Sequence, residues 1–160
     1  MKLRFVLPVV LALCVAAAST FAASTSTTMS VSATVQASCS ISPNPLNFAT
    51  YDPSSSSPVH ASTTFNYTCP NSSSPVISLS GVGGAGDGTG YKLVNGNNNL
   101  MYSLHSSSYS GTSWGNQSSY TVAGTGDGNQ HTLTIYGVIA AGQSVPDMSY
   151  SDTITITFAY

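Results

Sequence analysis

The sequence predicts an all-β sandwich, and three observations carry that expectation. Short runs of alternating apolar and polar residues recur along the chain, separated by Gly, Ser, Asn and Pro. No stretch shows the 3.6-residue periodicity of an amphipathic helix. The polar side of each run is almost uncharged, since 5% of residues are Asp, Glu, Lys or Arg, and Ser, Thr, Asn and Gly take their place.

The elements follow in order. Met1-Lys2-Leu3-Arg4 is a basic start, residues 5–18 are an apolar core too short for a membrane span, and Thr20-Phe21-Ala22 offers the small residues a signal peptidase reads. Residues 1–22 are therefore expected to be a removed secretory signal. Cys14 does not mark a lipid anchor, because Leu13 is too large for the position before it and the apolar run continues through Ala18. Behind the leader, in residues 23–36, Met29, Val31, Ala33 and Val35 alternate with polar residues, the pattern of a strand with one apolar face. What remains, residues 37–160, is one domain's worth of chain.

Strands are expected over 35–41, 59–69, 76–80, 100–104, 119–123, 131–139 and 153–160. In the second, Val59, Ala61, Thr63, Phe65, Tyr67 and Cys69 share a face, which turns Cys69 toward the core. In the last, Ile154, Ile156, Phe158 and Tyr160 share a face, and no run follows that would pair back on it. An unpartnered strand at one end and a spare one at the other predict subunits that complete one another. Pro43 and Pro45 end the first strand, because proline cannot donate to a ladder, and residues 52–58 read as an exposed connection. The glycine-rich segments 81–90 and 124–129 repeat Gly-Asp-Gly, which suits positive φ, and are expected at hairpin tips.

Composition excludes several functions. Without the leader, Lys92 is the one basic residue against Asp52, Asp87, Asp127, Asp147 and Asp152. Nucleic acids and anionic membranes need clustered Lys or Arg, so neither is expected as a partner. Low charge also removes the repulsion that keeps soluble proteins apart, which suits a subunit that assembles. Cys39 and Cys69 remain in an exported chain and are expected to form one disulfide. Closing a loop of roughly 31 residues contributes about 3.5–4 kcal/mol on the chain-entropy view.

Gly111-Thr112-Ser113-Trp114-Gly115 matches the G-x-S-x-G string of serine hydrolases. That string works only at a strand-to-helix turn with an acid and a His behind the serine; no helix follows, and no catalysis is expected. Gly83-Gly84-Ala85-Gly86-Asp87 is similar to a calcium-binding nonapeptide repeat but occurs once, with its Asp a residue early, so it reads as turn chemistry. His60, His105 and His131 lack the paired spacing of metal ligands. The acceptor-like triplets at Asn66, Asn71 and Asn116 follow from a chain rich in Asn and Ser. The aromatics, nine Tyr with Trp114, would suit a sugar-binding face; most, such as Tyr67, Tyr136 and Tyr160, fall on strand alternation and read as core or sheet packing.

Ala33-Thr34-Val35-Gln36-Ala37-Ser38-Cys39, Leu46-Asn47-Phe48-Ala49-Thr50-Tyr51-Asp52-Pro53, Trp114-Gly115-Asn116, Tyr136-Gly137-Val138-Ile139-Ala140-Ala141-Gly142-Gln143 and Tyr150-Ser151-Asp152-Thr153-Ile154-Thr155-Ile156-Thr157 together resemble the spore coat protein U domain family. That family includes pilin subunits of archaic chaperone–usher systems in Gram-negative bacteria. Ala49 stands where glycine is usual and Ala140 where proline is common. The resemblance implies an immunoglobulin-like pilin sandwich that lacks its final strand and is completed by donor-strand exchange. Met29, Val31, Ala33 and Val35 would be the donor strand. Ile154, Ile156, Phe158 and Tyr160 would border the acceptor groove and pair with a chaperone.

The implied partners are a periplasmic pilus chaperone, an outer-membrane usher and further copies of this or related pilins. The implied place is a surface fibre reached through the periplasm, and the implied role is a shaft or adaptor subunit in adhesion and biofilm formation. No cofactor and no enzymatic activity are implied. Two other readings are a self-assembling surface coat protein and, in a different class, a secreted monomeric carbohydrate-binding sandwich.

Overall fold

The computed structural model describes residues 25–34, 38–81 and 86–160. It divides into a leading unit that ends at Thr34 and a second unit, residues 35–160. The expected leader, residues 1–22, together with Val35 and the tip of the 81–90 segment, falls outside the described residues. Residues 25–34 carry no strand, and every one of them is exposed.

Among the described residues of the second unit, eight strands form two sheets. They are β1 (Ser40–Pro43), β2 (Val59–Thr68), β3 (Val76–Gly81), β4 (Tyr91–Asn95), β5 (Asn98–His105), β6 (Val122–Ala123), β7 (Gln130–Ile139) and β8 (Ile154–Ala159). One sheet runs β1-β2-β7-β5-β4 and the other β6-β3-β8; every pairing is antiparallel. This is the all-β sandwich that alternation predicts.

The spine is β2 against β7, in continuous register from Val59↔Ile139 to Thr68↔Gln130. Ala61, Phe65 and Tyr67 from one strand, with Cys69 just past its end, and Ile135 and Ile139 from the other, point into the core with Ile77, Leu79, Tyr91, Leu100, Tyr102, Leu104 and Trp114. Polar tips inside the core are satisfied, as buried groups must be. The Tyr91 hydroxyl donates to the Leu79 carbonyl at 3.0 Å or to that of Trp114 at 2.9 Å, and Trp114 Nε1–H donates to the Ile77 carbonyl at 3.0 Å.

Four expectations need correction. The 81–90 and 124–129 segments are not hairpin tips: each joins strands of different sheets, β3 to β4 and β6 to β7. Their turn chemistry is as expected, with positive φ at Gly88 and Gly128 and Asp87 and Asp127 each accepting the backbone N–H two residues on. The tip that does close a hairpin is Gly96-Asn97 between β4 and β5, where Gly96 takes φ of 57°. The 119–123 run is mostly a 3-10 turn, Ser118–Tyr120, with a two-residue β6, because the edge of β3 beyond Ile77 is taken by the backbone of Gly115, which accepts the Leu79 N–H at 3.0 Å. The first strand begins at Ser40 and reaches Pro43.

Candidate functional site

β8 is a strand with one neighbour. It pairs along its length with β3, from Gly81↔Ile154 to Val76↔Ala159, and among the described residues no strand lies on its other edge. Ile154, Ile156 and Phe158 turn inward as alternation predicts, yet each is only half-buried. Tyr160 lies beyond the strand, 56% exposed, and its hydroxyl accepts the Cys39 N–H at 3.2 Å. It therefore bridges the far end of β8 to the start of β1.

Between those two edges lies an open groove of about 370 Å³. One wall is Asp152, Thr153, Ile154 and Ile156; the other is the chain leaving β1, Pro43 to Leu46 and Phe48; the floor is Leu93, Tyr102, Leu104 and Ile135. The sequence dictates both walls. Pro43 is the last residue of the ladder, the Asn44 N–H still reaches the Thr64 carbonyl at 3.3 Å, and Pro45, which has no N–H to donate, follows where the chain leaves β2 and folds over the floor. Gly137 permits the close approach, because a Cβ there would lie 2.5 Å from Phe48 Cζ and 2.9 Å from Leu46 Cδ2. Phe48 then meets the Tyr102 ring edge-on at 5.5 Å.

The Gly142-Gln143 pair holds the end of that sheet. Gly142 takes φ of 78°, a left-handed turn that favours glycine, and delivers Gln143 beside β5. Its side-chain amide accepts the Met101 N–H at 2.7 Å and donates to the Met101 carbonyl at 2.8 Å, continuing the ladder where β7 has ended. The Tyr51 hydroxyl accepts the Gln143 N–H at 2.7 Å.

One charge touches this apolar groove. The chain pairs with β4 at Ser151, whose backbone exchanges hydrogen bonds with Val94, then crosses to the other sheet. Asp152 sits at the crossing, accepting the Tyr102 O–H at 2.8 Å and the Thr153 N–H at 2.7 Å. Burial, then the hydrogen bond and charge of Asp152, push the Tyr102 hydroxyl well above its ordinary pKa, so it remains a donor. The sequence reading passes over Asp152, Tyr102, Leu93 and Phe48 as site residues. Asn95-Gly96, a hairpin signal, would have located β4 and with it Leu93.

The disulfide expectation holds: Cys39 and Cys69 are joined, with Cα atoms 4.3 Å apart, tying the start of β1 to the end of β2. Met29 and Val31 are 83% and 82% exposed, with Ala33 exposed between polar neighbours. Ser113 forms a backbone bridge with His105. The His105 ring nitrogens meet the Gly111 carbonyl at 3.0 Å and Ser103 Oγ at 2.9 Å. The glycines of that string serve packing: a Cβ on Gly111 would fall 2.1 Å from the Ser106 carbonyl, and one on Gly115 2.4 Å from that of Gly86.

The family model of the Spore Coat Protein U domain matches residues 25–157. The chain belongs to that family. Of the solved structures, this Spore Coat Protein U domain is similar to a chain in the crystal structure of the CsuC-CsuE chaperone-tip adhesion subunit pre-assembly complex, from the archaic chaperone-usher Csu pili of Acinetobacter baumannii. The TM-score is 0.55 at 21% identity, over 79% of this chain and 40% of that one; the likeness is one of fold. None of the curated proteins matches the chain.

Proposed function

We propose that this Spore Coat Protein U domain protein is a structural subunit of a chaperone–usher surface pilus, polymerising by donor-strand complementation. The observation that carries the reading is the groove beside β8, an apolar slot along an unpartnered strand edge. Ile154 and Ile156 line it from the accepting strand, which continues through Phe158, and Tyr160 lies just past the strand's end. Met29, Val31, Ala33 and Val35, in residues 23–36, are the donor for a neighbouring copy. The domain that receives the strand is residues 37–160.

Physics favours occupancy. Each large apolar side chain moved from water into the groove contributes about 1.5–3 kcal/mol, and each ladder hydrogen bond about 0.5–1.5 kcal/mol net. Several of each rival the whole stability of a domain, about 5–15 kcal/mol. A periplasmic chaperone fills the groove first, an outer-membrane usher exchanges that strand for a neighbour's, and the fibre emerges at the cell surface for attachment and biofilm formation. The similar chain was solved in a chaperone–subunit pre-assembly complex, which supports such a partner here. A subunit that both donates and accepts is a shaft or adaptor, and it is not an enzyme.

Deleting residues 24–35 tests this. The shortened protein should still co-purify with its chaperone, because β8 is intact, and should no longer give SDS-resistant ladders on unboiled gels. Val31→Asp should act likewise, since an unpaired carboxylate entering an apolar groove costs several kcal/mol. Ladders of undiminished length from the deleted protein would refute the proposal.

A further inference from the structure

A second open pocket, of about 420 Å³, lies away from the groove beside β7. β5 pairs with β7 only from Tyr136 to Val138, so from Gln130 to Ile135 this edge of β7 has no strand partner among the described residues. The pocket sits there. Ser106, Ser107, Thr132 and Thr134 bring hydroxyl oxygens to it, Val122 and Leu133 line it with apolar surface, Tyr136 forms an aromatic wall, and its depth reaches Trp114. No ionisable carboxylate, amine or imidazole lines it.

Sequence alternation assigns Tyr136 to packing, yet its side chain stands on the outer face of the sheet, opposite the inward Ile135 and Gly137. The segment after β5 folds over that face and lays the exposed Tyr109 ring edge-on to Tyr136 at 5.1 Å and stacked on His60 at 4.5 Å. The segment is held tightly. Ser107 adopts φ of 67°, a left-handed conformation costly for a residue with a Cβ, and the Gly111 N–H donates to the Ser108 carbonyl at 3.1 Å. Strain of this kind, holding an exposed ring beside a hydroxyl-lined pocket, points to a binding site.

We propose that this pocket binds a neutral saccharide. Its volume is in the range of small-ligand sites and suits one or two sugar rings. The Ser106, Ser107 and Thr132 hydroxyls already donate, to the Thr112 and Ser106 carbonyls and to Asn66 Oδ1, so they present acceptor oxygens to sugar hydroxyls, while Thr134 and the backbone groups of the open strand edge can also donate. The Tyr136 ring offers the flat apolar face on which a pyranose C–H face packs. An extended peptide is disfavoured, because Ser106 and Ser107 close one end of the open edge. None of these residues lines the groove beside β8, so the site is independent of strand exchange.

Trp114 is the one tryptophan of the chain, so its emission reports on this pocket. The full chain is titrated with glucose, galactose, mannose, N-acetylglucosamine and maltose, with sialic acid as an anionic control. At least one neutral sugar should give a saturable change with a dissociation constant of about 1–10 mM, and sialic acid at least tenfold weaker binding. Tyr136→Ala and Thr134→Val should each weaken binding about tenfold, and Tyr109→Ala, on the exposed segment, about threefold. Unchanged urea midpoints and SDS-resistant ladders separate these effects from misfolding and from a failure of the pilin reading. No saturable change with any neutral sugar up to about 100 mM, or equal binding by Tyr136→Ala and Tyr109→Ala, overturns the proposal.

Discussion

β3 and β8 lie side by side in one sheet, carry the same alternation and face the same core, yet they end in different states. Leu79 pairs with Ile156 and Ile77 with Phe158. Leu79 and Ile77 are fully buried, while Ile156 and Phe158 are half-buried. The residue types are equivalent, so the cause is the flank. β3 has β8 on one edge and β6 with the Gly115 backbone on the other; among the described residues β8 has β3 alone. Burial in a sheet is a property of the neighbours a strand has, and the deficit along β8 is the room one more strand would fill.

Removing the tie on the far wall should have the largest effect. Cys39→Ser frees the start of β1 from Cys69, and urea denaturation should show a loss approaching the roughly 3.5–4 kcal/mol of the loop-closure account. Alkylation of both thiols in the native protein would contradict the bond itself. Next comes the closed strand: Leu79→Ala should cost about 3 kcal/mol in the free protein, within the usual range for a fully buried leucine. Ile156→Ala, its partner on the open strand, should cost about 1–2 kcal/mol, because part of its surface is already in water. Equal losses for the two would remove the contrast.

The smallest effect is a titration away from both strands. Asp127 accepts from the His131 ring at 2.8 Å and from the Asn129 N–H at 2.9 Å, which lowers its pKa to about 2. A carboxyl depressed on folding gives stability that is present above its unfolded value, 3.8, and is lost as pH falls toward 2. Urea midpoints should therefore drop slightly between those values, and Asp127→Asn should flatten that slope. The exposed position keeps the change small.

The strands were legible because period-two alternation survives wherever one face is buried, as in β2, β5, β7 and β8. Cys39 and Cys69 were legible from compartment and count. The far wall of the groove was not, because Phe48 sits on it through a tertiary contact with Gly137, and no local period records an approach between residues so far apart in sequence. The face on which Tyr136 packs was hidden for a related reason. Alternation reads it as core or sheet packing, and it does pack edge-on against Tyr109, but alternation cannot say which face a folded-back segment will cover. The sheet-crossing segments read as hairpin tips because turn chemistry at Gly88 and Gly128 is the same whichever sheet the next strand joins.

Among the described residues β8 has no second neighbour, and the proposal is that residues 26–37 supply one. Fusing a second copy of those residues after Tyr160 through a flexible Gly-Ser linker, and following thermal unfolding by circular dichroism, tests it most directly. Filling the groove in cis should give a soluble monomer whose Tm rises by at least about 10 °C, and it should raise the cost of Ile156→Ala to that of Leu79→Ala. A fused protein that melts with the parent, with Ile156→Ala still cheap, would contradict the account.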